Sequence, residues 1–155
     1  MSPWGGGSGG GAGGPGVQGF EIGYDQITAN VTVASTTEAT GTTIISCAAH
    51  TFDGAAVLVT FFTPYINIST TGSTAITVCL FEASTEITRL CQVSGGVSNS
   101  QQYAVVGMYR FTPSAAAHTY TITAYASNVT TNSIIVAGLG GANANPPAFV
   151  RFTKV

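Results

Sequence analysis

Charged side chains are scarce in this sequence. Only 6% of its residues are Asp, Glu, Lys or Arg, against about 25% in ordinary soluble domains. The basic residues number four, Arg89, Arg110, Arg151 and Lys154, and the formal net charge is −2. Binding to a nucleic-acid backbone or to an anionic membrane surface requires clustered cations. The sequence therefore predicts no nucleic-acid partner and no polybasic membrane signal.

Long apolar runs and helical patterns are missing as well. The mean hydropathy is +0.35, yet no run approaches the roughly eighteen apolar residues of a membrane-spanning helix, so we expect no membrane insertion. The first residues lack the basic and apolar segments of a secretory signal peptide, so we expect none. No window places apolar residues at helical spacing between capping residues. Helical folds, and parallel sheets that need crossover helices, are therefore disfavoured.

Cysteine is limited to three residues, Cys47, Cys79 and Cys91. No Cys/His spacing of a zinc site is present, and each cysteine lies in an apolar, strand-like run, so we predict three small buried thiols. Free thiols indicate an intracellular origin, whereas a surface made polar by 23 Thr and 13 Ser rather than by charge resembles that of an extracellular protein. A protein made in a cytoplasm and exposed on a virus particle fits both observations.

Glycine, by contrast, is abundant and unevenly placed, because ten of the twenty glycines lie in residues 1–19. A segment with so few side chains has little to bury and loses much backbone entropy when it is ordered. We therefore divide the chain into a Gly-rich extended arm, 1–19, and a head domain, 20–155, which is long enough for its own core. Three arrangements of the arm stay open: a floppy tether, a strand inserted into a neighbouring subunit, or a bundle wound with sister arms around a trimer axis.

Two residues of the arm, Trp4 and Pro15, are the predicted assembly anchors. Trp4 is the only tryptophan, and aromatic anchors supply much of the binding energy at protein interfaces. Burial of its side chain would contribute on the order of 2–4 kcal/mol. We therefore expect the arm to bind other proteins of a larger assembly. The run GGGSGGGAGG also resembles an engineered linker, which would have no such role.

The rest of the chain reads as short β-strands separated by turn residues such as Asp53-Gly54, Gly95-Gly96 and Pro146-Pro147. Nine strands at this spacing predict an all-β sandwich or barrel. The predicted strands are Gln26–Val33, Thr42–Ala48, Val57–Ile68, Ile76–Ala83, Ile87–Val93, Tyr103–Thr112, His118–Ala126, Asn132–Gly138 and Ala148–Val155.

Several of these strands are apolar on both faces. A two-layer sandwich has one interior, so a strand that is apolar on both sides needs a second cover, and no helix is predicted to supply it. We expect sister subunits to supply it in a homo-oligomer, most simply a trimer, through an apolar interface. The predicted interface residues are Leu58, Phe62, Cys79, Phe81, Tyr109 and Phe111.

Few residues point to chemistry, and each has a simpler structural interpretation. His50 and Asp53, with Ser46 nearby, contain the residue types of a Ser-His-Asp site, but no GxSxG turn surrounds Ser46, and the segment reads as a strand end with a tight turn. His118 is interpreted as a hydrogen-bonded structural histidine. The scattered acids include Glu82 and Glu86, which flank a turn, but two carboxylates are too few for a calcium site. We predict no enzyme activity, no metal and no cofactor.

Two polar loops offer a further interaction surface. The segments Gln92–Tyr103 and Ala137–Pro147 are rich in Gly, Asn, Ser and Gln with tyrosine nearby, a composition suited to hydrogen bonding with polar surfaces such as host envelope glycans. The same composition is also that of ordinary exposed turns.

The pattern of apolar inner strands ending in an alternating C-terminal strand resembles the jelly-roll heads of tumour-necrosis-factor-like trimers. Three segments, Ile45–Ile66, Tyr109–Tyr125 and Gly138–Val155, also resemble small virion proteins of tailed bacteriophages, which often have Gly-rich N-termini. The resemblance implies a jelly-roll head on a virion, on the tail tip or fibre for host attachment, or on the capsid as a decoration protein that stabilises the shell. It carries no catalytic motif, and a depolymerase would need a carboxylate cluster or nucleophile that the sequence does not present.

Overall fold

The structure, a computed structural model, describes residues 18–68, 74–95, 101–128, 133–138 and 144–155. Almost all of the predicted arm, including Trp4 and Pro15, lies outside the described residues. The described chain contains no helix long and apolar enough to cross a bilayer.

Ten strands and one short 3₁₀ turn make up the described secondary structure. The 3₁₀ turn is Glu38–Thr40. The strands are β1 Glu21–Ile27, β2 Val31–Thr32, β3 Thr42–Thr51, β4 Val57–Ile68, β5 Thr74–Glu82, β6 Thr85–Gly95, β7 Gln101–Phe111, β8 Ala117–Ala126, β9 Ile134–Ile135 and β10 Ala148–Lys154.

The strands form two antiparallel sheets that pack as a β-sandwich. In sheet A, β1, β10, β4 and β7 are neighbours in that order, and the short β9 and β2 continue the sheet beside the C-terminal part of β4. In sheet B the order is β3, β8, β5, β6. The main pairs are nested along the chain, since β5 pairs with β6, β4 with β7, β3 with β8 and β1 with β10.

One core fills the space between the sheets. Alternate residues of β4 and β5, such as Phe61 and Leu80, are fully buried in it, because successive side chains of a strand point to opposite faces. Aromatic rings pack edge to face at one end, where Phe52 contacts Tyr120 with ring centroids 5.7 Å apart and Phe152 at 5.8 Å. Such arrangements are preferred because the ring edge and face carry opposite partial charge.

The predicted all-β class is confirmed, and most predicted strands match observed ones. Two predictions are wrong. Gln26–Val33 is not one strand, because the chain leaves β10 after Ile27 and pairs with β9 only from Val31. Asn132–Gly138 contains only the two strand residues of β9 within its described part, 133–138.

Candidate functional site

The outer face of sheet A carries an exposed apolar band. We define the band as Tyr24, Phe62, Val106, Met108 and Phe149. The Phe149 ring stacks between two others, 5.3 Å from Tyr24 and 5.2 Å from Phe62, and Val106 lies opposite Phe62 in the strand register. Val106 is 58% exposed, Met108 62% and Tyr24 42%. The band crosses four neighbouring strands, a width of about 15 Å at the usual strand spacing.

Charged side chains lie at both edges of this band and, at Arg151, within it. Arg110 lies on the same face, opposite Leu58, and Glu21 pairs with Thr153 in the same row of residues at the other edge of the sheet. Arg151 lies between Thr60 and Tyr24. None of these three charged groups forms an ion pair within the part of the chain that the structure describes. The face therefore offers both a positive and a negative edge to a partner.

The predicted interface residues fall in three different places. Leu58 and Phe62 lie on the outer face of sheet A, where Phe62 belongs to the band. Tyr109 and Phe111 lie on the inner face, at the edge strand β7, opposite Val59 and Val57. Tyr109 is 40% exposed, so it reaches solvent at the open edge rather than across the sheet.

Cys79 and Phe81 lie on the outer face of sheet B, but this chain covers them itself. Their exposures are 0% and 8%. The segment around the 3₁₀ turn lies over this face, where Glu38 pairs with Arg89 at 2.8 Å, and Arg89 is the register partner of Cys79. The premise that these two residues need a neighbouring subunit therefore does not hold, because a loop rather than a helix supplies the second cover.

A small cluster of charges holds that loop in place. Hydrogen bonds from the Glu86 carboxyl and the Arg89 guanidinium lower the pKa of Glu38 below its ordinary value. The hydrogen bond to Glu38, together with burial, raises the pKa of Glu86. The opposite shifts of these two pKa values follow from the closeness of the two carboxyl groups to each other and of Glu38 to the Arg89 guanidinium.

A surface recess of about 360 Å³ opens beside this cluster on sheet B. The recess is lined by the 3₁₀ segment, by the β5–β6 turn with Phe81, and by threonines of β3 and β8. Its lining residues are Glu38, Ala39, Gly41, Thr43, Phe81, Ala83, Ser84, Thr121 and Thr123. The sequence does not reveal this recess, because its lining residues come from three separate segments, 38–43, 81–84 and 121–123, and match no motif.

His50 is paired with Asp25, which is far from it in sequence. Its Nε2 lies 2.6 Å from Asp25 Oδ2, and Asp25 Oδ1 accepts the Ala48 N–H at 3.0 Å. The link joins β1 of sheet A to β3 of sheet B. The imidazole packs flat on the backbone of Gly23, where an added Cβ would lie 2.5 Å from the ring. Asp53, the acid nearer to His50 in sequence, instead bonds the Lys154 ammonium and accepts the Ala55 N–H.

His118 has the predicted hydrogen bonds, and its neighbours are arranged in the order of a serine-protease triad. Nδ1 lies 2.5 Å from Glu82 Oε1, and Nε2 lies 3.0 Å from Ser114 Oγ. Nε2 also faces the Ser114 carbonyl oxygen at 3.1 Å. The bond to Glu82 raises the pKa of His118, with the Ser114 carbonyl adding to it. Both ring nitrogens of His118 therefore have hydrogen-bond partners, in agreement with its interpretation as a hydrogen-bonded structural histidine.

The structure also shows where the two predicted turn carboxylates and the three cysteines lie. Glu82 and Glu86 do not meet, because Glu82 reaches His118 and Glu86 lies with Glu38 on the outer face. All three thiols are free, and Cys91 is only half-buried. Burial raises the pKa of Cys47 and Cys79 to about 12 and of Cys91 to about 11, so these thiols are unreactive at neutral pH.

The described residues contain no group of three His, Cys, Asp or Glu side chains placed to hold a metal ion. The two predicted polar loops fall partly outside the described residues, which omit 96–100 and 139–143. In comparisons with known proteins, no family model and no curated sequence matches this chain.

Proposed function

We propose that this chain is a structural subunit of a bacteriophage virion that self-associates, as a homotrimer, through the outer face of sheet A. In this proposal the head is displayed on the tail tip or fibre and contributes to attachment to the host surface. The Gly-rich arm joins it to other virion proteins. We assign no reaction to it.

The single observation that carries the proposal is the apolar band on sheet A. Monomeric proteins seldom leave several large apolar side chains exposed side by side, and such patches usually mark an interface. A second copy is the favoured occupant because the same face carries unpaired charges of both signs. A rotated copy can bring its Glu21 edge to the Arg110 edge of its neighbour, as closed symmetric assemblies require.

The connectivity supports a jelly-roll head in particular. Nested pairs, from β5 with β6 outwards to β1 with β10, are what one long hairpin forms when it is rolled into two facing sheets. Eight main strands in two sheets of four are also the number found in jelly rolls. Three copies, rather than two, are proposed on the resemblance to tumour-necrosis-factor-like heads.

The arm stays part of the proposal. Trp4 and Pro15 are proposed to dock in another virion protein, while the first described residues already join the head, since Gly19 N–H donates to the Lys154 carbonyl at 2.7 Å. Gly19, the last residue of the proposed arm, is therefore already tied to the C-terminal strand of the head.

Sedimentation of the full chain tests the self-association. We expect an oligomer for the unchanged protein and a monomer for Met108→Lys, because one lysine in each copy would place unpaired charges in the buried interface. Gln92→Lys, on an exposed strand position of sheet B, is the matched control and should sediment like the unchanged protein. A monomeric unchanged protein at all concentrations would refute the proposal.

A second possible location of this chain in the virion is the capsid, as a decoration protein that self-associates through the same face of sheet A. The number of copies per particle distinguishes this location from the tail. Counting the labelled chain on purified particles gives a handful of copies for a tail component and hundreds for a shell decoration. Detachment of a decoration protein should also leave the heads less robust, whereas loss of a tail component should reduce host adsorption.

A further inference from the structure

We propose that the recess on sheet B is a binding site for a neutral, hydroxyl-rich ligand, a saccharide unit. The inference deepens the proposed role in host attachment and rests on it for its biological meaning. It uses a face opposite the apolar band, so a self-associated head would still present the recess to solvent.

The chemistry of the lining favours hydroxyl groups as ligands. Thr43, Thr121, Thr123 and Ser84 line the recess, and none of these hydroxyls is engaged in a side-chain hydrogen bond within the described chain. A hydroxyl both donates and accepts, so such a set matches the mixed donors and acceptors of a sugar ring. The Glu38 carboxylate adds a strong acceptor at the wall.

One of these hydroxyls indicates a missing partner. Thr123 Oγ1 is buried without any hydrogen-bond partner among the described residues, although buried polar atoms are normally satisfied. Gly41 closes over it, since an added Cβ there would lie only 3.1 Å from Oγ1. A ligand hydroxyl would satisfy Oγ1 once the Gly41 backbone shifts slightly aside, and the absence of a side chain at Gly41 keeps the required shift small.

The remaining lining restricts the class of ligand. Arg89, the nearest cation, is already engaged by Glu38 and Glu86, so an anionic ligand would meet the Glu38 carboxylate without a free counter-charge. Phe81, which is 8% exposed, supplies a small apolar contact area for the C–H groups of a ring. The volume of about 360 Å³ lies at the lower end of the usual range of about 300–1,000 Å³ for ligand pockets, which fits a small saccharide rather than a long chain.

Protein-observed NMR of the isotope-labelled full chain tests the proposal. The probes are free glucose, galactose, mannose, rhamnose and N-acetylglucosamine at millimolar concentrations. We expect at least one of them to shift the amide signals of the recess, those of Gly41, Thr121 and Thr123, in a saturable way. No saturable shift with any probe, or shifts confined to the opposite sheet, would overturn the proposal.

Thr121→Val and Thr119→Val form a matched pair for this test. Both threonines lie on the outward side of β8, but only Thr121 lines the recess. Loss of one hydrogen bond should weaken saccharide binding by about five- to tenfold in Thr121→Val and leave it unchanged in Thr119→Val. Equal effects of the two substitutions would overturn the assignment.

Thr123→Val distinguishes a hydroxyl that binds the ligand from a buried hydroxyl that simply lacks a hydrogen-bond partner. Removing an unsatisfied buried hydroxyl should raise the thermal midpoint of the free protein by about 2–4 °C and at the same time weaken saccharide binding. A raised midpoint with unchanged binding would overturn the proposal. Sedimentation of the same variants keeps the two proposals apart: an oligomer that binds no saccharide refutes only the site, and a monomer that binds one refutes only the self-association.

Discussion

At the scale of single residues, the few charged side chains join segments that are far apart in the chain. Asp25 and His50 link the two sheets, and Glu38 and Arg89 tie the 3₁₀ segment to β6. The sequence indicates a structural His118 and a tight turn at Asp53-Gly54 just after His50, but it gives no sign that His50 bonds Asp25. Spacing along a chain could not predict the true partner, because Asp25 is brought to His50 only when β1 packs against β3.

The Glu82–His118 pair makes a pH dependence of stability predictable. The bond to Glu82 raises the folded-state pKa of His118 above the ordinary value of 6.5. A raised pKa means that the folded state holds the proton more tightly than the unfolded chain. The Glu82–His118 pair therefore makes its full contribution to the free energy of unfolding below about pH 6.5. This contribution is lost as the pH rises through the folded-state pKa of His118.

Urea unfolding measured between about pH 6 and pH 8.5 tests this expectation. The free energy of unfolding of the unchanged protein should decrease across the interval. Glu82→Gln, which keeps the size of the side chain and removes its charge, should show a smaller decrease over the same interval. Identical slopes for the two proteins would show that Glu82 does not hold the proton on His118.

At the scale of elements, strands with clear alternation were predictable and short connections were not. The boundaries predicted for β4, Val57–Ile68, agree with the structure, because its two apolar faces and flanking turns are local signals. The interruption after β1 was missed. There the Asn30 side chain accepts the Ala137 N–H at 3.0 Å, and Gly138 approaches the Thr28 backbone closely. Both contacts depend on residues more than a hundred positions away in sequence.

The β5–β6 turn provides a prediction at this scale. Ala83 has φ 52°, a left-handed conformation that costs a residue with a Cβ about 1–2 kcal/mol. Ala83→Gly removes this strain but adds freedom to the unfolded chain, which costs roughly 0.4–1 kcal/mol. We expect a net stabilisation of about 0.5–1 kcal/mol, measured by chemical denaturation.

Ser84→Gly is the control for this turn. Ser84 follows Ala83 directly but does not have a positive φ, so glycine there relieves no strain and should lower stability. If both glycine substitutions destabilise the protein equally, then the backbone of Ala83 is not strained in solution.

At the scale of the whole molecule, strands with two apolar faces have different surroundings in the two sheets. On sheet A the outer face is left open in the single chain, with Val106 and Met108 well exposed. On sheet B the same pattern is covered by the 3₁₀ segment of the chain itself. Strand alternation reports that a face is apolar, but it contains no information about which loop crosses it, because loop paths depend on the packed sandwich.

The open face of sheet A leads to a prediction about stability and concentration. If folded copies associate and unfolded chains do not, association stabilises the folded state by mass action, and the thermal midpoint must rise with protein concentration. We expect such a rise for the full chain in scanning calorimetry and a constant, lower midpoint for Met108→Lys. Because Met108 is 62% exposed in the single chain, its substitution should leave the fold of the monomer intact, which circular dichroism can verify. A midpoint independent of concentration in the unchanged protein would mean that the band does not bind a second copy.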